Sequence, residues 1–370
     1  MAVYITMTIL SAAFFMIHGK LDGYDIWGQK LRDGKKRSRM AALCFFILSA
    51  LTVYLVMAVR YDVGTDYLLT YVKRFKWYRN PKISSVAWEP LYRWLFLLLG
   101  KITSDPQIVF IVTSALIVIP LWIAIKKVSP MPWLSVIIFV VSRHFFISMN
   151  AVRQYTALAF VMIAFTFIPQ KCFWKYAVFV VLGALCHYSI ILFLPLYLLI
   201  YLNIKPVHAV LIVSMLSVIS PMLWNFIRWA VSLTPYKKYI GSEYDTVDRY
   251  NIWSFLVILF IFVLSILIIQ GEPIQKDEHL LRFLFNLNII NTWYAFNINL
   301  LPNGERISWS LDFAVIILCP MLIIRLKDKR KQWMMILATV FLMAFVAYVR
   351  IYLMGEHEVF PYQTFFADRP

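Results

Sequence analysis

Charge is what this sequence has least of, and negative charge above all. Only 15% of its 370 residues are Asp, Glu, Lys or Arg, where a soluble globular domain carries about a quarter. The 19 acidic residues face 36 basic ones, and 62% of the chain is hydrophobic. No polar stretch exceeds about 30 residues, so no separate soluble domain is expected. The polar–apolar alternation of a transmembrane β-barrel is missing, as are internal repeats, heptads and low-complexity segments. Cys44, Cys172, Cys186 and Cys319 form no CxxC pair and have no His partner at ligand spacing. That argues against a disulfide framework or a zinc site and for buried thiols acting as small hydrophobes. The first apolar run also lacks the preceding positive charge of a signal peptide. Its basic residues, Lys20 to Arg39, come after it, so it reads as a retained first helix with its N-terminus outside.

What is present is a succession of apolar runs, at 2–18, 40–59, 107–125, 133–150, 154–169, 176–203, 207–224, 251–270, 283–301, 307–324 and 333–352. A bilayer-spanning helix needs about 20 such residues, and the shorter run 88–100 suits a re-entrant or interfacial helix. The expected fold is an all-α polytopic membrane protein of about 10–13 transmembrane helices, some short, broken or re-entrant. Residues 1–370 then form a single integral membrane domain. Lys and Arg gather on the cytoplasmic side, which assigns loops 19–39 (seven of them) and 325–332 (five) to it. Segments 60–90, 225–250, 302–308 and the tail 353–370 then lie outside, as does a turn at 150–153. The net charge of +17 reads as orientation and headgroup contact rather than nucleic-acid binding. One outer loop breaks the rule: 60–87 carries Arg60, Lys73, Arg74, Lys76, Arg79 and Lys82, which asks for another reason, such as an anionic ligand. Counting crossings from Lys175 to Arg325 leaves two options. Either 176–203, with His187 and Pro195, is a broken pair of short helices, or the Asn-rich run 283–301 does not fully cross.

Ionised and strongly polar residues inside apolar runs normally face a cavity or a partner. In 148–157, SMNAVRQYTA, a continuous helix would set Arg143, Asn150, Arg153 and Gln154 on one face. Gly64 permits a tight turn that aims Asp66 back at the membrane. Glu89 stands just before Pro90, either as a helix cap or as a carboxylate at a cavity mouth. His187 is either a satisfied core residue or a donor to an anion. Glu305 and Arg306 open an apolar helix, and Tyr362 lies in the aromatic tail. In this topology Arg60, Arg153, Arg306, Asp66, Glu89 and His187 share the outer side. Guanidinium forks suit phosphate and carboxylates supply a base, so an outer cavity for a lipid-linked, phosphate-bearing substrate is expected.

The motifs GTDY (64–67), EPLY (89–92), NAVRQ (150–154), HYS (187–189), GERIS (304–308) and PYQTFF (361–366) occur in one order across 60–366. With them the sequence resembles the EpsG-like branch of the Wzy-type polysaccharide polymerases. The resemblance implies a fold like that of lipid-sugar glycosyltransferases. It implies an inner-membrane enzyme of O-antigen, capsule or exopolysaccharide assembly, which moves a growing glycan from undecaprenyl pyrophosphate to the next lipid-linked repeat unit on the outer face. No cofactor, metal or nucleotide sugar is expected. The implied partners are undecaprenyl-pyrophosphate-linked oligosaccharides and membrane lipids, with a chain-length regulator and a flippase of the same pathway, and no nucleic acid. In that frame Glu89 is the first candidate base and Asp66 the second, with His187 assisting. Arg153 and Arg306 hold the leaving pyrophosphate, with Arg60, Arg143, Asn150, Gln154, Glu305 and Tyr362 around it. The basic loop 60–87 and Arg143 lie outside the family pattern. Three other readings compete. An O-antigen-type ligase usually has a larger outer loop than 225–250, a membrane O-acyltransferase leaves the outer arginines unexplained, and a flippase or transporter often shows inverted repeats.

Overall fold

A computed structural model describes residues 1–31, 38–79, 88–242, 245, 252–298, 301 and 303–366. The remaining parts of the expected loops 19–39, 60–90, 225–250 and 302–308, and of the tail, lie outside the described residues. Among those described, the chain is all helix with no strand, and only two isolated antiparallel bridges occur. Two compact units form: Met1–Leu194 with Met334–Pro370, and Pro195–Trp333.

The first unit begins with α1 (Ala2–Leu21) and α2 (Arg39–Ala58), then a π-helical turn, Tyr67–Val72, running into α3 (Lys73–Arg79). There follow α4 (Pro90–Ile102), α5 (Gln107–Val128), α6 (Pro132–Val141), α7 (His144–Asn150), α8 (Val152–Phe165) and α9 (Phe173–Ala184). Helix α1 packs on α2 and α6, α2 on α5, α5 on α8, and α8 on α9. Small hydroxyls let the first helices approach, as is usual between apolar helices. Ser11 Oγ donates to Ser49 O at 2.8 Å, and the Trp122 indole N–H donates to Ser49 Oγ at 2.9 Å.

Seven helices among the described residues are long and apolar enough to cross a membrane, and an eighth is added if the bent pair α6–α7 counts as one. The protein is therefore polytopic, as expected, and short, bent and broken apolar helices accompany the long ones, also as expected. The expected runs without a long straight span are the three between 133 and 203 and the run 283–301, whose helix His279–Phe296 is not among the seven. Run 133–150 bends by 59° between α6 and α7, and 154–169 contracts to the 14 residues of α8. Run 176–203 is broken into α9, a 3-10 turn (Tyr188–Leu192), α10 (Phe193–Leu196) and a second 3-10 turn (Tyr197–Tyr201).

The break at 142–143 has a local cause. Ser142 Oγ donates back to Ile138 O at 2.5 Å, a bond that bends helices, and Arg143 then adopts φ 72°. A second interruption, at Ala151 (φ −82°, ψ 50°), separates α7 from α8. The continuous helical stripe Arg143–Asn150–Arg153–Gln154 expected from periodicity is thus corrected. These residues sit on two helices and at a kink, so Arg143 and Arg153 point to different partners.

The tail is a strap laid along residues 59–65. Phe365 N–H donates to Val59 O (3.0 Å), Tyr61 N–H to Gln363 O (3.0 Å), Thr65 N–H to His357 O (3.1 Å) and Gly64 N–H to Glu358 O (3.1 Å). Gly64 has φ +104°, and a Cβ there would stand 3.2 Å from Met149 O, so this crossing needs glycine.

The second unit is built from α11 (Pro206–Ile219), α12 (Trp224–Ser232), α13 (Ile252–Gly271), α14 (His279–Phe296), α15 (Gly304–Asp312) and α16 (Val315–Ile323). The long α17 (Lys329–Ala347) leads back into the first unit. Helix α14 is central and packs against α11, α13, α15 and α16. This explains the Asn-rich run. Asn286 donates to the carbonyls of Leu199 (2.9 Å) and Leu202 (2.7 Å), Asn288 to Ser265 Oγ (3.3 Å), and Asn291 to Asp312 Oδ1 (3.2 Å). Its amides join buried helices to each other.

Candidate functional site

The strongest concentration of chemistry in the first unit gathers at the start of α4. Glu89 is its N-cap residue and Pro90 its first helical residue, but the Glu89 side chain makes no capping bond. The carboxylate instead receives Nη1–H of Arg153 on Oε2, and His187 Nδ1 lies 3.1 Å from Oε1. Arg153 comes from the first turn of α8, and His187 from the break after α9.

Two contacts bring these elements together. Gly183 on α9 lies so close to α8 that a Cβ would come 2.9 Å from Ala157 O. The Leu91 N–H of α4 donates to Leu185 O at 3.1 Å, and the His187 N–H donates to Gly183 O at 2.9 Å. The interruption in the long run 176–203 therefore has a use: it presents an imidazole where a continuous helix would carry it past the site.

An aromatic floor completes the group. The Arg153 guanidinium lies 4.7 Å from the centroid of the Trp88 ring, and the Arg74 guanidinium, from α3, lies 4.6 Å from the same ring. Phe96 meets Trp88 edge-on at 4.9 Å. Tyr71 OH accepts the Arg153 backbone N–H at 3.3 Å, and Tyr92 OH pairs with Thr156 Oγ1 at 2.7 Å. Burial pushes the Glu89 carboxyl up, but the His187 hydrogen bond and the Arg153 charge outweigh it and hold it at about 2. The group thus holds two guanidiniums, one imidazole and one firmly ionised carboxylate. It suits anion binding, and it suits proton acceptance once the carboxylate is released.

A second charged group forms around Glu356, at the start of the strap. Arg143 Nη1 donates to its Oε2 at 3.0 Å, and Arg350 Nη2 to its Oε1 at 2.5 Å. Next to it Asn150 Nδ2 meets His357 Nδ1 at 3.0 Å, and Asn150 Oδ1 accepts from Thr65 Oγ1 (2.9 Å) and Asp66 N–H (2.8 Å). The Asp66 carboxylate itself accepts Thr70 Oγ1–H at 2.9 Å. These residues bind the strap to α7 and to the 60–66 loop.

Several expected site residues serve the same framework. Arg60 is 1% exposed, gives Nη1 and Nη2 to the carbonyls of Met57 (2.8 Å) and Met149 (2.9 Å), and lies 4.9 Å from the centroid of the Phe110 ring. Tyr362 OH donates to Val56 O at 3.0 Å. Gln154 is buried within α8. Glu305 and Arg306 are carried by the second unit, in the first turn of α15 behind Asn303 (φ 57°).

Of the expected residues, then, Glu89, Arg153 and His187 come together, while Asp66, Asn150 and Arg143 belong to the strap. Sequence reasoning singled out neither Arg74 nor the set Glu356, Arg350 and His357. A signal existed for each. Arg74 belongs to the loop 60–87, whose basic charge asked for a reason, Arg350 stands near the end of an apolar run, and Glu356 is one of few acids in the chain. Among the described residues, no three or more His, Cys, Asp or Glu side chains lie together as a metal-binding set.

Comparison with known proteins gives one match: the EpsG family, over residues 43–364. No curated protein and no solved structure matches the chain.

Proposed function

The chain belongs to the EpsG family, and from that premise we propose that it polymerises undecaprenyl-pyrophosphate-linked oligosaccharide repeat units on the outer face of the cytoplasmic membrane. Family membership carries the coarser statement, a polysaccharide-polymerase-type membrane protein. The observation that carries the finer one is the Glu89–Arg153–His187 group, a carboxylate held by a guanidinium and an imidazole above an indole. A nucleophilic hydroxyl, a diphosphate leaving group and a sugar face each find a matching group there.

In the reaction, a hydroxyl of the acceptor sugar attacks the anomeric carbon of the donor glycan. The new C–O bond forms as the bond from that carbon to the diphosphate oxygen breaks. The electron pair leaves with undecaprenyl diphosphate, and the hydroxyl proton passes to Glu89. Arg153 is a fixed cation for the charge that develops on the leaving group, which is the most effective use of charge in a site shielded from water. His187 holds the second Glu89 oxygen and orients the carboxylate. With its pKa at about 2, Glu89 is a weak base in the resting site. A diphosphate that competes for Arg153 removes one of the groups that keep it low, so substrate binding itself strengthens the base. Asp66, bonded to Thr70, ranks behind Glu89. A flippase would supply the lipid-linked units before this step, and a chain-length regulator would act on the growing chain.

The test uses purified protein and lipid-pyrophosphate repeat units with nothing else added. A ladder of lengthened products is expected, lost in Arg153→Ala and in Glu89→Gln when equal amounts of folded, membrane-extracted protein are compared. Unaltered substrate in the wild-type reaction, or wild-type ladders in both variants, overturns the proposal.

A further inference from the structure

We infer that Arg74 is the second arm of the anion site, gripping one phosphoryl group of a lipid diphosphate while Arg153 grips the other, on either side of the contact they share with Trp88. The inference rests on the reading that this site takes a lipid diphosphate, and it adds a residue that neither periodicity nor motif pointed to.

The argument starts from charge. Two guanidiniums lie against one indole, at 4.6 Å for Arg74 and 4.7 Å for Arg153. Cation–π contact with Trp favours each of them, but the two like charges repel. Burial, and then the charge of Arg153, make the Arg74 guanidinium a stronger acid than usual. The charge of Glu89 offsets only part of this. Both Glu89 oxygens are engaged, one by Arg153 and one by His187.

Hydrogen bonding points the same way. Arg74 Nη1 and Arg153 Nε are buried and have no hydrogen-bond partner among the described residues. A buried donor left unmade is costly, the more so when it is charged. Two such donors on two neighbouring guanidiniums are the complement of an anion with several acceptor oxygens. A diphosphate offers oxygens on two phosphorus centres and enough negative charge to balance the excess. A monophosphate occupies one arm. Arg74 is carried on α3, directly after the π-helical turn that supplies Tyr71 to the Arg153 backbone, so the two arms are set by neighbouring contacts on one segment. Arg74 thereby gives the outer loop 60–87 a reason for at least part of its positive charge.

The test is calorimetric titration of the full-length protein in detergent with farnesyl diphosphate and, separately, farnesyl monophosphate. Wild type is expected to prefer the diphosphate. In Arg74→Ala the diphosphate should bind on the order of tenfold more weakly, with the monophosphate changed little, so that the preference shrinks. Arg74→Lys should recover part of it, and Arg74→Gln, which keeps a planar group against Trp88 without the charge, should not. In the polymerisation assay Arg74→Ala should raise KM for the lipid-linked unit more than it lowers kcat. If Arg74→Ala keeps wild-type diphosphate affinity while Arg153→Ala loses it, the role of Arg74 is overturned and the site reading stands. If neither substitution changes diphosphate affinity, both are overturned. Equal loss of both ligands with a lowered melting temperature, unrecovered by Arg74→Lys, would make Arg74 a support for Trp88 and overturn the inference.

Discussion

Two groups in the first unit have the same inventory: one glutamate, two arginines and one histidine. Around Glu356, both arginines spend a guanidinium nitrogen on the carboxylate, and the histidine next to it is tied to Asn150. Around Glu89, one arginine and the histidine take the carboxylate, while the second arginine stacks beside them on Trp88. The first arrangement closes a strap, since the backbone that follows Glu356 is hydrogen-bonded along 59–65. In the second, Arg74 is in no salt bridge with the carboxylate, among the described residues. Side-chain inventory therefore does not tell a fastening from a binding site. What tells them apart is whether the cations are consumed by the carboxylate already present.

Three substitutions and a pH series test that distinction. Arg153→Ala should have the largest effect, a loss of chain growth of about a hundredfold to a thousandfold in turnover, read from product ladders at matched protein levels. Equal activity would place Arg153 with the fastenings. Glu356→Ala leaves Arg143 and Arg350 facing each other without their anion. Breaking a buried pair in this way costs about 3–5 kcal/mol, visible as a lower melting temperature, while the activity of the folded fraction is retained. A fall in turnover without a fall in stability would make Glu356 part of the site. Asn150→Ala removes the acceptor of Thr65 and Asp66 and should cost about 1–3 kcal/mol, measured by denaturant or heat. It should also speed proteolysis of the strap, and unchanged cleavage would argue against the strap's dependence on it.

The smallest effect concerns pH. Glu89 is held at about 2, below the ordinary glutamate value of about 4.3. Its ion pair therefore contributes fully above that ordinary value and is lost only as pH falls toward about 2. Between pH 5 and 8, melting temperatures of wild type and Glu89→Gln should run parallel, and they should converge at lower pH. Curves that diverge between pH 6 and 8 would mean that Glu89 titrates near neutrality and is not held by Arg153.

Much of the fold was legible because it follows from composition. Runs of apolar residues with little charge have one stable setting, the bilayer. The broken segment 176–203 was one of two options that loop charge allowed, with Pro195 in it, and the structure breaks it beside His187. The other option concerned 283–301; its helix is not among the seven long apolar spans, and its asparagines are links between helices. The stripe through Arg143 and Arg153 failed for a physical reason. Periodicity assumes unbroken helix, whereas a back-bonded Ser142 and a left-handed Arg143 end α6, and Ala151 ends α7. The charge rule, which asks for a turn at 150–153, was the better guide there. Glu89, Arg153 and His187 were visible as costly residues in apolar surroundings. Arg74 was not, because a cation in a loop costs nothing until the loop is folded onto a ring.

By itself, the sequence determined that the chain is helical and polytopic, that its cations outnumber its anions, and which costly side chains must find partners. Only the tertiary structure decided the partners. Arg153 reaches a glutamate 64 positions away and Arg143 one 213 positions away. The two arginines start ten residues apart, and a kink of two residues and a break of one send them to different carboxylates. The energy of a buried charge depends on what lies within a few ångströms of it, and that distance is set by how helices far apart in the chain pack.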